Sequence, residues 1–256
     1  MPLSIIYQDP DIVAVYKPAG IVVHRCDSTP ADEVALLQLL RDQLGQHLYP
    51  VHRLDQPTSG IVLYGLTPKS AAALVDQFTH RRVHKCYQAV VSGHTPHSGV
   101  IFTPLSATEG PASQDNSTHI RSTPIQPTPV REAKTSYQTL AYFQPDWQIP
   151  GIDPCQLSLV EATPHTGRWH QIRRHLTSIG HPILGDRRHG DDRYNDAVVS
   201  MNQETRTDRM MLNASYVRFR QPRTDDLIEL RCDPDLTYQS IVELLGIPVT
   251  RFDVVY

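Results

Sequence analysis

The chain has 256 residues, of which 39% are hydrophobic and 20% charged, and its formal net charge is −3. Such a composition excludes a disordered or membrane-embedded chain, and the length suits one sizeable core. No apolar run would span a bilayer, Met1-Pro2-Leu3-Ser4 opens no signal peptide, and Cys26, Cys86, Cys155 and Cys232 stand far apart, so reduced thiols and a cytoplasmic location are expected.

In chain order, residues 4–7 and 12–16 flank the turn signal Gln8-Asp9-Pro10-Asp11 and read as a β-hairpin. Thr29, Pro30 and Asp32 predict a helix start. Val34, Leu37, Leu40 and Leu44 then recur near one face, and Gly45 ends the helix. Next comes a lone carboxylate, Asp55, between Arg53 and the turn Pro57-Thr58-Ser59-Gly60, presented at the mouth of a strand expected over 61–66. Thr67-Pro68 starts a second helix with the apolar stripe Ala71, Leu74, Val75 and Phe78. Residues 85–92 read as a strand with Tyr87, Ala89 and Val91 on one face.

Residues 94–134 are rich in Pro, Ser and Thr, show little periodicity, and read as a long loop-like insert. Strands are expected over 134–143 and 156–162. Thr166-Gly167-Arg168 then leads into a helix over 169–179, with Ile172, Leu176 and Ile179 facing the core and Gly180 as its stop. The polar stretch 187–209 reads as a surface loop with some helix, 210–220 and 227–231 as a hairpin, and 238–245 as a closing helix before Gly246. Strands and helices mix without regular βαβ alternation. The class is therefore α+β, with 1–256 as a single domain.

Charge is distributed unevenly. Between Thr163 and Leu176 stand Arg168, Arg173 and Arg174 with three histidines and no acid, and Arg81, Arg82 and Lys85 form a second acid-free basic group. Basic patches of this kind suit a polyanion despite the net charge, although solvated helix faces give the same pattern. His165, His170 and His175 recur every five residues, which turns each by about 140° on a helix and argues against a shared metal. Phosphate-loop and dinucleotide patterns are absent, and Ser59 lacks a nucleophile elbow. No second acid evidently partners Asp55 for glycoside hydrolysis. A carboxylate beside arginine is favoured in its charged form, which suits a nucleophile or an electrostatic stabiliser better than a general acid.

His52-Arg53-Leu54-Asp55-Gln56-Pro57-Thr58-Ser59-Gly60 resembles the H-R-L-D-x-x-T-S-G signature of the RluA family of pseudouridine synthases. Lys85-Cys86-Tyr87-Gln88-Ala89-Val90-Val91-Ser92-Gly93 resembles that family's K-x-Y-x-A-x-V-x-G strand. Thr166-Gly167-Arg168-Trp169-His170-Gln171-Ile172-Arg173-Arg174-His175-Leu176 resembles its T-G-R-x-H-Q-I-R-x-H-L helix start. Gly180-His181-Pro182-Ile183-Leu184-Gly185-Asp186 resembles the following turn, and Val15-Tyr16-Lys17-Pro18-Ala19-Gly20 also fits. The likeness runs over about residues 5–220, in the family's order.

The resemblance implies isomerisation of uridine to pseudouridine in structured RNA, without metal or organic cofactor. It implies a mixed, largely antiparallel central sheet with flanking helices and an active cleft across its middle. Asp55 matches the essential aspartate, which acts at C1′ or assists a glycal intermediate. Tyr87 matches the tyrosine that stacks on the uracil and helps remove the C5 proton, and Arg173 the basic partner of the aspartate. Arg53 matches an arginine that fills the space of the flipped base. His52, Arg81, Arg82, Lys85, Arg168 and Arg174 are the remaining expected RNA contacts. Arg173-Arg174-His175-Leu176, Arg188-His189-Gly190-Asp191 with Asn195, and Val23-His24-Arg25 look like the members that modify tRNA uridine 65. Ribosomal RNA is the alternative substrate, and a non-catalytic RNA-binding protein the alternative class. A catalytic domain without a small N-terminal RNA-binding domain is expected, as is a monomer. Asn213 stands where the family pattern has His.

Overall fold

The computed structural model describes residues 2–25, 30, 33–106, 129–146, 149–201 and 209–244. In the first half run β1 (Ile5–Gln8), β2 (Ile12–Lys17), α1 (Leu36–Leu44), β3 (Tyr49–Pro50), β4 (Ser59–Gly65), α2 (Pro68–Thr79), β5 (His84–Ser92) and β6 (Ser98–Ile101). There follow β7 (Leu105–Ser106), β8 (Val130–Arg131), β9 (Thr135–Phe143), β10 (Leu157–Pro164), α3 (Gln171–Ser178), α4 (Asp192–Met201), β11 (Leu212–Arg220), β12 (Leu227–Arg231) and α5 (Leu236–Leu244).

Ten of these strands form one sheet in the spatial order β1-β2-β4-β11-β5-β10-β9-β6, with β3 beside β4 and β12 beside β11. Among the described residues its one parallel pairing joins β4 to β11. The period-two geometry of strands divides the core between the two faces. Val13, Val15, Val62 and Tyr64 pack with Leu36 and Leu40 of α1 and with Tyr238 and Ile241 of α5. Ile12, Ala14, Ile61 and Leu63 pack on the other side with Ala71 and Leu74 of α2. Central β4 is buried at every residue, which is why it reads as an unbroken apolar run.

Several elements depart from the sequence reading. Thr29 lies outside the described residues, but α1 starts only at Leu36, after the extended Ala35. The N–H groups of Leu36 and Leu37 donate to the carbonyls of Val22 and Val23, so the chain itself supplies the cap that a Ser or Thr would provide. Val34 is 50% exposed and Leu36 takes its place beside the expected Leu40 on the buried face, with Leu37 and Leu44 partly buried against the core. On α2, Val75 is 42% exposed and Gln77 is buried. The Gln77 amide donates to the carbonyl of Arg220 and accepts from its N–H, which caps the end of β11. Ile179 is exposed just beyond α3.

The insert is not wholly a loop. Ser98–Ile101 pairs with β9, and Leu105–Ser106 pairs with β8; residues 107–128 lie outside the described residues. These short strands, β6 at the edge of the main sheet and β7 with β8 in a separate two-stranded sheet, gain their order from pairing, which leaves no local periodicity to read. The closing helix begins two residues early because Asp235 Oδ1 accepts the N–H of Tyr238. Its expected stop, Gly246, lies outside the described residues.

Candidate active site

Asp55 sits in the turn between β3 and β4, closed by a hydrogen bond from Thr58 N–H to the Asp55 carbonyl (3.0 Å). That turn is tied to the exit of β2. Lys17, fully buried, donates to the carbonyls of Pro18, Ile21 and Gln56 at 2.9, 2.7 and 2.8 Å. Burial pushes the Lys17 pKa down to about 7, against the pull of Asp55, while three carbonyls match the three N–H groups of its ammonium form. Downstream, Gly60 has φ +115 and lies against the Ala214 backbone so closely that a Cβ would collide with it. Only glycine permits that parallel contact of β4 with β11. Ser59 donates to Asn213 Oδ1 at 2.7 Å across the same seam, and Tyr16 donates to that oxygen at 3.3 Å. Asn213 is thus a buried strand-to-strand acceptor.

Arg173 on α3 reaches Asp55 from the other side of the sheet order, with Nη1 3.3 Å from Oδ2. Its firmer partner is Asp186, which accepts from Nε at 2.7 Å and from Nη2 at 2.8 Å. Asp186 also accepts the N–H groups of Arg188 and His189, each at 3.0 Å. Burial pushes the Asp186 carboxyl up, but the hydrogen bonds and charge of Arg173 and the two backbone donors outweigh it and hold the pKa below the usual range. The turn carrying Asp186 depends on Gly185, with φ +74 against the Arg209 backbone.

A cleft of about 460 Å³ opens beside Asp55, within the size range of small-ligand sites. Asp55, Tyr87 and Arg173 line it together with Arg53, His52, Arg81, Lys85 and Arg168. Burial and the nearby Asp55 charge raise the Tyr87 pKa, so the phenol stays protonated. Lys85 is pushed below its ordinary value by burial, with Nζ 5.7 Å from the Phe78 ring centre. His52 serves the wall itself: its Nε2 accepts the N–H of Leu63 at 2.9 Å, and its ring stacks on Phe78. Burial, then Lys85, brings its pKa down to about 3, so the ring is neutral. Arg168 donates to the Glu132 carbonyl.

Two expected contacts are not on the cleft lining. Arg82 pairs with Asp76 on the surface of α2, and Arg174 donates to Ser106 while lying 5.8 Å from the Trp169 ring centre. In their place the cleft gains Trp169 and His170, and behind them His189. All of them fall inside the motif segments, but none carries an expected role there. Asp186 in particular closes a turn motif without pointing to Arg173, because that partner is thirteen positions away.

Residues 11–178 match the family profile described as RNA pseudouridylate synthase. The chain belongs to this family. It is an RNA pseudouridine synthase, as the motifs around Asp55, Tyr87 and Arg173 implied. It is 35% identical over 252 residues to tRNA pseudouridine synthase C of Haemophilus ducreyi, covering 98% of this chain and 99% of that one. To the protein of that name from Pasteurella multocida it is 37% identical, covering 95% and 96%. The solved human RNA pseudouridylate synthase domain containing 1 superposes with a TM-score of 0.66 at 27% identity, over 93% of this synthase and 86% of that chain. A second human structure, RNA pseudouridylate synthase domain containing 4, shares the fold with a TM-score of 0.69 at 23% identity, over 95% and 93% of the two chains. Among the described residues no helix is long and apolar enough to cross a membrane.

Proposed function

We propose that this synthase isomerises uridine 65 in the acceptor-stem region of tRNA, in the cytoplasm, with Asp55 as the carboxylate that acts on the target nucleotide. The observation that carries the mechanism is the pairing of Asp55 with Arg173 at the floor of a basic cleft, 3.3 Å apart. The two relatives above bear on the substrate, since each is named for tRNA. In the reaction the C1′–N1 bond breaks, the uracil turns, and C5 bonds to C1′. N1 ends with a hydrogen and C5 gives up its proton, so no atom is gained or lost. Arg173 holds the Asp55 carboxylate in place whether it bonds to C1′ or removes a sugar proton on the way to a glycal.

Tyr87 supplies an aromatic face for the uracil. Its raised pKa favours that stacking role over one as a base that must first ionise. Arg53 occupies the space left in the RNA by the flipped nucleotide, and Arg81 and Arg168 meet phosphates. His52, Arg82 and Arg174 serve the protein's own structure.

The test is tritium release from RNA labelled at C5 of uridine, with tRNA and ribosomal RNA assayed separately beside Asp55→Asn. Release from tRNA by the wild type alone, mapped to position 65, is the expected result. Release only from ribosomal RNA would overturn the substrate, and an active Asp55→Asn the mechanism.

A further inference from the structure

Two side chains approach the Asp55 carboxylate, and both approach the same oxygen. Arg173 Nη1 lies 3.3 Å and His170 Nε2 3.8 Å from Oδ2. His170 is held firmly. Its backbone is left-handed, with φ 50, at the start of α3, and its ring stacks on Trp169 with 3.7 Å between centroids. Its Nδ1 lies 2.9 Å from Nε2 of His189. A left-handed non-glycine residue persists only where its surroundings fix it, and such residues gather at functional sites.

A hydrogen bond between two imidazoles needs one N–H and one lone pair. Burial, with Arg173 and Arg188 among the surrounding charges, lowers the pKa of both rings and keeps them neutral. Two arrangements remain. If His170 donates from Nδ1, its Nε2 turns a lone pair toward a carboxylate oxygen, and the two repel. If His189 donates, His170 carries its proton on Nε2 and points the positive end of that N–H dipole toward Oδ2, 3.8 Å away, a favourable charge–dipole contact.

We infer that His189 is a positioning residue, which donates Nε2–H to His170 Nδ1 and so fixes His170 in the Nε2–H tautomer. Together with Arg173, His170 then holds Oδ2 of Asp55 and leaves Oδ1 to face the target nucleotide. His189 is itself anchored, since its N–H donates to Asp186 Oδ1 at 3.0 Å and its carbonyl accepts from the Thr177 hydroxyl at 2.7 Å. Asp186 is also the main partner of Arg173. One turn thus sets both groups that grip Asp55, a coupling that rests on Asp55 being the acting carboxylate.

The tautomer is read directly by two-bond proton–nitrogen correlation spectra of the histidine-labelled protein, with His170→Gln to assign the signal. The expected state in the wild type is Nε2–H on His170; an Nδ1–H state overturns the inference. The kinetic arm compares His189→Gln, whose amide N–H can still donate, with His189→Glu, which can only accept and forces the opposite tautomer. Glu should lose roughly tenfold in single-turnover tritium release, because the Nε2 lone pair would then face the Asp55 carboxylate. The Kd for RNA should stay unchanged, and Gln should retain most of the rate. Equal rates for Gln and Glu would refute the role of His189. Activity in Asp55→Asn would instead sink the reading beneath it, whichever tautomer His170 adopts.

Discussion

Replacing Asp186 by Asn tests whether the site depends on a carboxylate that never faces the cleft. Asp186 and Arg173 have side chains 1% and 5% exposed, so the pair is removed from water. Asn keeps the shape and one acceptor for the N–H groups of Arg188 and His189. It also sets an NH2 group against a guanidinium, which can only donate. Removing one partner of a buried ion pair costs about 3–5 kcal/mol, because the other charge is left uncompensated. Asp55 lies close enough to Arg173 to take up part of that charge, which places the expected loss near the lower end, about 3 kcal/mol. For a chain of this size that corresponds to a fall in Tm of roughly 6–12 °C. Calorimetry gives the stability, and single-turnover tritium release gives the rate, which should fall as the turn at 188–189 loosens. In a double-mutant cycle with Arg173→Met, the combined loss should be well below the sum, since the second substitution removes the stranded charge. A Tm within about 2 °C of wild type, with an unchanged rate, would refute the argument.

Two further outcomes follow from charges in the structure. The lowered Asp186 pKa means that the unfolded chain binds more protons near and below about pH 4, so stability rises with pH there. The contribution is present above the unfolded value near 3.9 and is lost as pH falls toward the lower folded one; Asp186→Asn should flatten that acid limb of urea unfolding, and an unaltered limb would assign it to other carboxyls. Arg81 lines the cleft while Arg82 is paired with Asp76 outside it. Arg81→Ala should therefore lower the slope of log K against log salt for RNA binding by about 0.7–0.9, one phosphate contact, and Arg82→Ala should leave it alone. A slope for Arg81→Ala equal to that of the wild type would exclude Arg81 from the interface.

Much of the fold was legible because it depends on short-range chemistry. The hairpin of β1 and β2 follows from a turn between apolar runs, and α2 from Thr67 and Pro68, with Thr67 Oγ1 accepting the N–H of Ser70. The chain's apolar alternation likewise foretells which face Tyr87 and Ala89 share. The loop around Asp55, the strand of Tyr87 and the helix start at Arg173 each carry their own motif, and the cleft brings the three together. What stayed hidden depends on partners distant in sequence. The start of α1 is decided by the carbonyls of Val22 and Val23, the burial of Gln77 by Arg220, and the edge strand β6 of the insert by β9.

The sequence by itself determined the α+β class and the family and singled out Asp55 as the candidate carboxylate, because those rest on residue types at fixed local spacing. Only the tertiary structure decided that Arg173 answers first to Asp186, that His52 is a wall and Lys17 a staple, and that His189 stands behind His170. The physical reason is that a buried polar group must find its partner wherever the packed chain presents one, and sequence distance places no limit on that choice.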